Sequence, residues 1–117
     1  MAYSEELADR VREILSTENN LEEKAMFGGL CFMVNDKMCV CVRQNEIMCR
    51  LDPENYQSLL EKSGVRQMIH GNKLMKGYVY VEEEEIRSAK SLRYWVGLTM
   101  EYNERAKAYA KEKKSKK

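Results

Sequence analysis

Three apolar runs parted by pairs of turn-forming residues occupy positions 24–51, and few arrangements other than an antiparallel meander accept that pattern. The first run holds Met26, Phe27, Cys31, Phe32, Met33 and Val34 and is broken early by Gly28-Gly29. Asn35-Asp36 supplies a turn, 37–43 a second strand, Gln44-Asn45 another turn and 46–51 a third strand.

Helical signals flank this block. Leu7, Val11, Ile14 and Leu15 recur at helical spacing and predict an amphipathic helix over 4–18, with Ser4 as N-cap and Asn19-Asn20 closing it. Asp52-Pro53 predicts a second helix, with the aspartate as N-cap and the only proline at its first position. Tyr56, Leu59 and Leu60 form its apolar side, and Gly64 stands just past its end. Residues 65–77 carry a weak strand pattern around Gly71-Asn72, whereas 78–81 is a firm strand of aromatic and β-branched residues. Glu82, Glu83, Glu84 and Glu85 are expected to lead into a final helix with Leu92, Trp95, Val96, Thr99, Tyr102 and Ala106 on one side. The expectation is an α+β fold with an antiparallel sheet and helices, in the order α-β-β-β-α-β-β-α. One domain is expected over 1–110, followed by a basic flexible tail at 111–117.

A length of 117 residues suits one domain. No apolar run approaches the roughly 20 residues of a membrane-spanning helix, and residues 1–6 lack the basic-then-apolar pattern of a signal peptide. The expected compartment is the cytoplasm, with no membrane contact. Residues 105–117 hold seven Lys/Arg and one Glu, a local charge of +6; subtraction from 20 basic and 19 acidic residues leaves 13 and 18, a body of −5. Lys111, Lys113, Lys114, Lys116 and Lys117 are therefore the candidate contacts to a polyanion, set against the reading of a solvated tail. The final helix is expected to fray near Ala110.

Four cysteines invite a zinc reading, but Cys31, Cys39, Cys41 and Cys49 contain no C-x-x-C pair. With two-residue turns at 35–36 and 44–45, strand parity places Cys31 and Cys49 on one face and Cys39 and Cys41 on the other. That parity survives a change of two residues and fails on a change of one. Cys31 and Cys49 would then lie about 9–10 Å apart, too far for a disulfide. All four are expected as reduced, metal-free thiols. His70 is the only histidine and precedes Gly71-Asn72, where a turn position outweighs a catalytic one. Gly28-Gly29 lacks the spacing of a phosphate loop, and four successive glutamates cannot converge on one cation. Trp95 lies on the apolar stripe and reads as core despite its neighbours Arg93 and Tyr94.

Met26-Phe27-Gly28-Gly29 resembles the signature of the TfoX (Sxy-type) N-terminal domain family. Lys37-Met38 is similar to its second strand, 75–81 with Gly77 and Tyr78 to its last strand, and Trp95 to its helix tryptophan. The resemblance runs from about residue 5 to residue 106. It implies an antiparallel sheet backed by helices. In the named competence regulators this domain precedes a helical C-terminal domain and helps coactivate transcription. No catalytic residue carries over, so Met26, Phe27, Gly28, Gly29, Gly77, Tyr78 and Trp95 are taken as structural. The expected function is a non-enzymatic regulatory module that binds a protein partner, within a transcription complex and without a cofactor. A nucleic-acid contact module led by the lysine tail is the alternative, and a small enzyme with an unrecognised site is the third reading.

Overall fold

Four strands, where sequence pattern suggests three, precede Pro53. The computed structural model describes residues 3–26 and 28–104. After helix α1 (Glu5–Ile14) come β1 (Leu21–Met26), β2 (Gly29–Val34), β3 (Lys37–Val42) and β4 (Glu46–Arg50). Helix α2 (Tyr56–Leu59), β5 (Val65–His70) and β6 (Lys73–Glu82) follow, then a 3-10 turn over Glu83–Ile86 and α3 (Ala89–Asn103). The architecture is α+β, and the strands form one antiparallel sheet in the order β1-β2-β3-β4-β6-β5. The additional strand, β1, is an edge strand of sequence LEEKAM whose four central residues are exposed, so no apolar alternation marks it.

Local chemistry explains the other departures. Ser4 caps α1 as expected, its Oγ accepting from Leu7 N at 3.2 Å, but the helix ends at Ile14. The Asp52-Pro53 segment opens with turns: Asp52 Oδ1 accepts from Glu54 N, and Asp52 O accepts from Asn55 N and Tyr56 N. Only one helical turn follows, from Tyr56, before Gly64 turns the chain at φ +77°. The weak pattern at 65–77 is a true hairpin, with His70 paired to Lys73 across Gly71-Asn72. The glutamates do not line the start of α3. Glu83 to Glu85 sit in the 3-10 turn, and α3 is capped instead by Ser88, whose Oγ accepts from Ser91 N at 3.1 Å.

The cysteine parity needs correction. Asn35 and Asp36 take φ of +56° and +66°, the conformation of a tight two-residue hairpin turn, and pair Met33 with Met38. Between Phe32 and Met33 the register then slips by one residue: Phe32 faces Val40, not Cys39, and Cys31 faces Cys41, not Val40. A bulge at Cys39 is the cause, and both Cys39 and Val40 turn toward the same core. Cys31 and Cys41 therefore share one face, while Cys39 and Cys49 belong to the other.

Those faces carry two cores. The helices cover the first, where Leu7, Val11, Leu92, Trp95 and Val96 meet Phe32, Val40, Val42, Ile47, Val79 and Val81. Burial pushes the Cys39 thiol up to about 11 and Cys49 well above its usual value. The second core draws on all six strands, joining Cys31, Met33, Met38, Cys41, Met48 and Met68 with the flanking Met26, Met75, Tyr78 and Tyr80. Thioethers, unbranched and polarisable, fill such an irregular space well.

Arg12 joins α1 to the edge strand, Nε and Nη2 donating to Glu23 Oε2 and Oε1 at 2.6 and 2.8 Å. That hydrogen bonding holds Glu23 below its ordinary value of 4.5. A depressed folded pKa contributes stability that is present above the unfolded value and is lost as pH falls through the folded one. Because both side chains are partly exposed, Glu23→Gln should cost only about 0.5 kcal/mol at pH 7. Urea titrations should show the two proteins converging as pH drops below 4.5; a gap that persists at lower pH would assign the loss to packing.

Candidate functional site

Pairing of β4 with β6 and of β5 with β6 sets Met48 and Arg66 on either side of Tyr80, so their side chains share its face. The Tyr80 ring lies between two guanidiniums, with Arg43 at 5.1 Å and Arg66 at 5.0 Å from its centroid. Arg43 Nη1 also donates to the Tyr80 hydroxyl at 3.5 Å. Glu46 ties the arrangement together: it accepts from Arg43 Nε at 3.1 Å and forms an ion pair with Arg66. Two residues further along β6, Tyr78 faces Arg50, whose guanidinium lies 5.8 Å from the rings of both Tyr78 and Tyr102. Cation–π stacking holds these long side chains extended over the sheet.

The glycine-rich turn abuts this stack. Met26 pairs with Gly29, which sets Gly28 in the short connection between β1 and β2. Gly28 has φ +73°, and a Cβ there would lie 3.8 Å from Arg43 Nη1. Gly28, Arg43, Gln44, Asn45 and Glu46 line a recess of about 220 Å³. In the middle of β6, Gly77 takes φ +90° and accepts a hydrogen bond from Leu51 N at 2.7 Å.

A family model for the TfoX N-terminal domain matches residues 13–102. The chain belongs to that family. No curated protein and no solved structure matches it.

The structure sorts the motif residues of this TfoX N-terminal domain into two groups. Met26, Gly28, Gly29 and Tyr78 lie along or beside the second core and its Arg–Tyr rim. Trp95 lies on the other side of the sheet, buried under α3. Phe27 and the tail lysines Lys111, Lys113, Lys114, Lys116 and Lys117 lie outside the described residues, as does the fraying expected near Ala110. His70 ends β5 beside the Gly71-Asn72 turn. Among the described residues no three His, Cys, Asp or Glu side chains gather as a metal site would require, and no helix is long and apolar enough to cross a membrane.

Sequence reasoning missed Arg43, Glu46 and Arg66. Arg43 follows β3 while Glu46 and Arg66 belong to β4 and β5, and their only local signal is that each falls near the end of a strand or next to a turn.

Proposed function

We propose that this TfoX N-terminal domain is a non-enzymatic regulatory module that docks a protein partner on its Arg43–Tyr80–Arg66 face, in the setting of a transcription complex. The observation that carries this reading is the partly buried Tyr80 flanked by two guanidiniums that Glu46 anchors. Tyrosine and arginine dominate the energetic centres of protein interfaces. Side chains already fixed by stacking and ion pairing lose less rotamer freedom when a partner arrives. Membership of a family that includes competence regulators supports the regulatory role.

Tagged full-length chain would be used to capture the partner from cytoplasm, and the purified partner would then be titrated against wild type and Tyr80→Ala. The variant should bind about 30-fold more weakly, as loss of a central tyrosine of about 2 kcal/mol implies, with an unchanged far-ultraviolet spectrum. Equal affinity would remove this face from the interface. Binding that is carried by nucleic acid and collapses steeply with added salt would favour the lysine-tail reading instead.

A further inference from the structure

The register slip at Cys39 creates a thiol pair that undisturbed alternation would have kept apart. Cys31 and Cys41 are directly opposed on β2 and β3, and both are fully buried. Their backbone relation follows from the neighbouring hairpin. Arg43 N donates to Glu46 O at 2.9 Å, so Arg43 and Glu46 are a hydrogen-bonded pair. Alternation along β3 then makes Cys41 a hydrogen-bonding partner of Met48 on β4, and leaves it without ladder bonds to β2. Cys31 and Cys41 are thus a non-hydrogen-bonded pair, for which Cα atoms lie about 4.5 Å apart. A disulfide accepts Cα separations of roughly 4.4–6.8 Å, so closure needs little backbone movement. The two Sγ atoms converge on one backbone acceptor, each lying 3.6 Å from Met26 O.

We propose that Cys31 and Cys41 are a covalent modification site, a dithiol that hydrogen peroxide converts to a cross-strand disulfide. Hydrogen bonding between the two thiols and the nearby Arg43 charge hold Cys41 below the usual thiol range, and the same hydrogen bond holds Cys31 above it. Cys41 is accordingly the attacking thiolate. Its sulfur bonds to one peroxide oxygen as the O–O bond breaks, giving a sulfenic acid and a hydroxide that takes a proton to become water. Cys31 sulfur then attacks Cys41 sulfur, the S–O bond breaks, and the departing hydroxide leaves as water with the Cys31 proton. Two thiols lose two electrons in total and one peroxide becomes two waters. Access comes from fraying of β1, an edge strand whose last residue, Met26, supplies the shared carbonyl. The bridge removes the S–H donation to that carbonyl, where β1 leads toward Gly28-Gly29.

Full-length chain would be treated under native conditions with hydrogen peroxide, quenched, denatured and alkylated with N-ethylmaleimide. The expected mass carries two adducts instead of four, and peptide mapping joins Cys31 to Cys41. Cys49→Ser should keep that bridge, while Cys31→Ser should abolish it. Four adducts after peroxide treatment, oxidation confined to methionine, or a bridge joining Cys39 to Cys49 would each overturn the proposal. Because the mapping is done on the wild-type chain, it holds even where a serine variant fails to fold.

Discussion

Trp95→Ala is expected to cost about 3–5 kcal/mol, the range for truncating a buried tryptophan. Trp95 is 4% exposed at the centre of the buried stripe of α3, beside Leu92 and Val96. Tyr94 meets its ring edge-on, with centroids 5.5 Å apart and planes at 77°. No other residue of α3 combines such bulk with such burial, and the sheet beneath cannot sink to fill the void because strand pairing holds it. Domains of this size are stable by only about 5–15 kcal/mol, so the loss reaches a large fraction of the total. Urea unfolding followed by circular dichroism should show the midpoint falling sharply, with Trp95→Phe in between. A shift worth less than about 1 kcal/mol would mean that the tryptophan is not a keystone of the helical face.

Gly29→Val should be nearly as damaging, at about 3 kcal/mol. A Cβ at Gly29 would stand 2.2 Å from Val42 O and 3.1 Å from Arg43 Cγ. The first of these is backbone, held in the sheet by the pairing of Leu30 with Val42, so relief demands that two strands part. Gly97 offers the matching control: a Cβ there meets nothing within 4 Å on the exposed side of α3. Gly97→Ala should be neutral or slightly stabilising, since alanine favours helix over glycine. Comparable midpoints for the two variants would contradict the steric account.

The contrast between these glycines bears on what is legible in the chain. Gly28-Gly29 is visible as a conformational break, yet sequence alone reads it as an irregularity within one strand. The structure makes it the corner of a hairpin, because the partner strand is too polar to announce itself: Glu22, Glu23 and Lys24 lie on an edge where alternation is not demanded. The turn at Asn35-Asp36 is legible because short polar residues tolerate the positive φ it requires. The bulge at Cys39 is not. It replaces no residue type with a telltale one, and the partner that Cys39 meets there is distant in sequence, its Sγ lying 2.9 Å from Thr99 Oγ1 on α3. One unannounced residue was enough to reassign the cysteines. The Arg–Tyr site was illegible for a related reason: Arg43, Glu46, Arg66 and Tyr80 converge only once β6 inserts between β4 and β5, a placement no local signal encodes.

That insertion divides the sheet into two parts of different origin. Strands β1 to β4 close on one another through turns of two residues, and so do β5 and β6. The joint between β4 and β6 must instead bridge residues 51–77, at about 2 kcal/mol more loop entropy than a tight turn. Meander and hairpin can each zip up from neighbours in the chain, while the seam between them is the sheet's one distant closure. The seam begins where Leu51 N meets Gly77 O, and it runs beneath Tyr78 and then Tyr80 of the proposed docking face. A lesion along it would unfasten a ready-made hairpin from a ready-made meander, dismantling the recognition surface before either half had lost its own pairing.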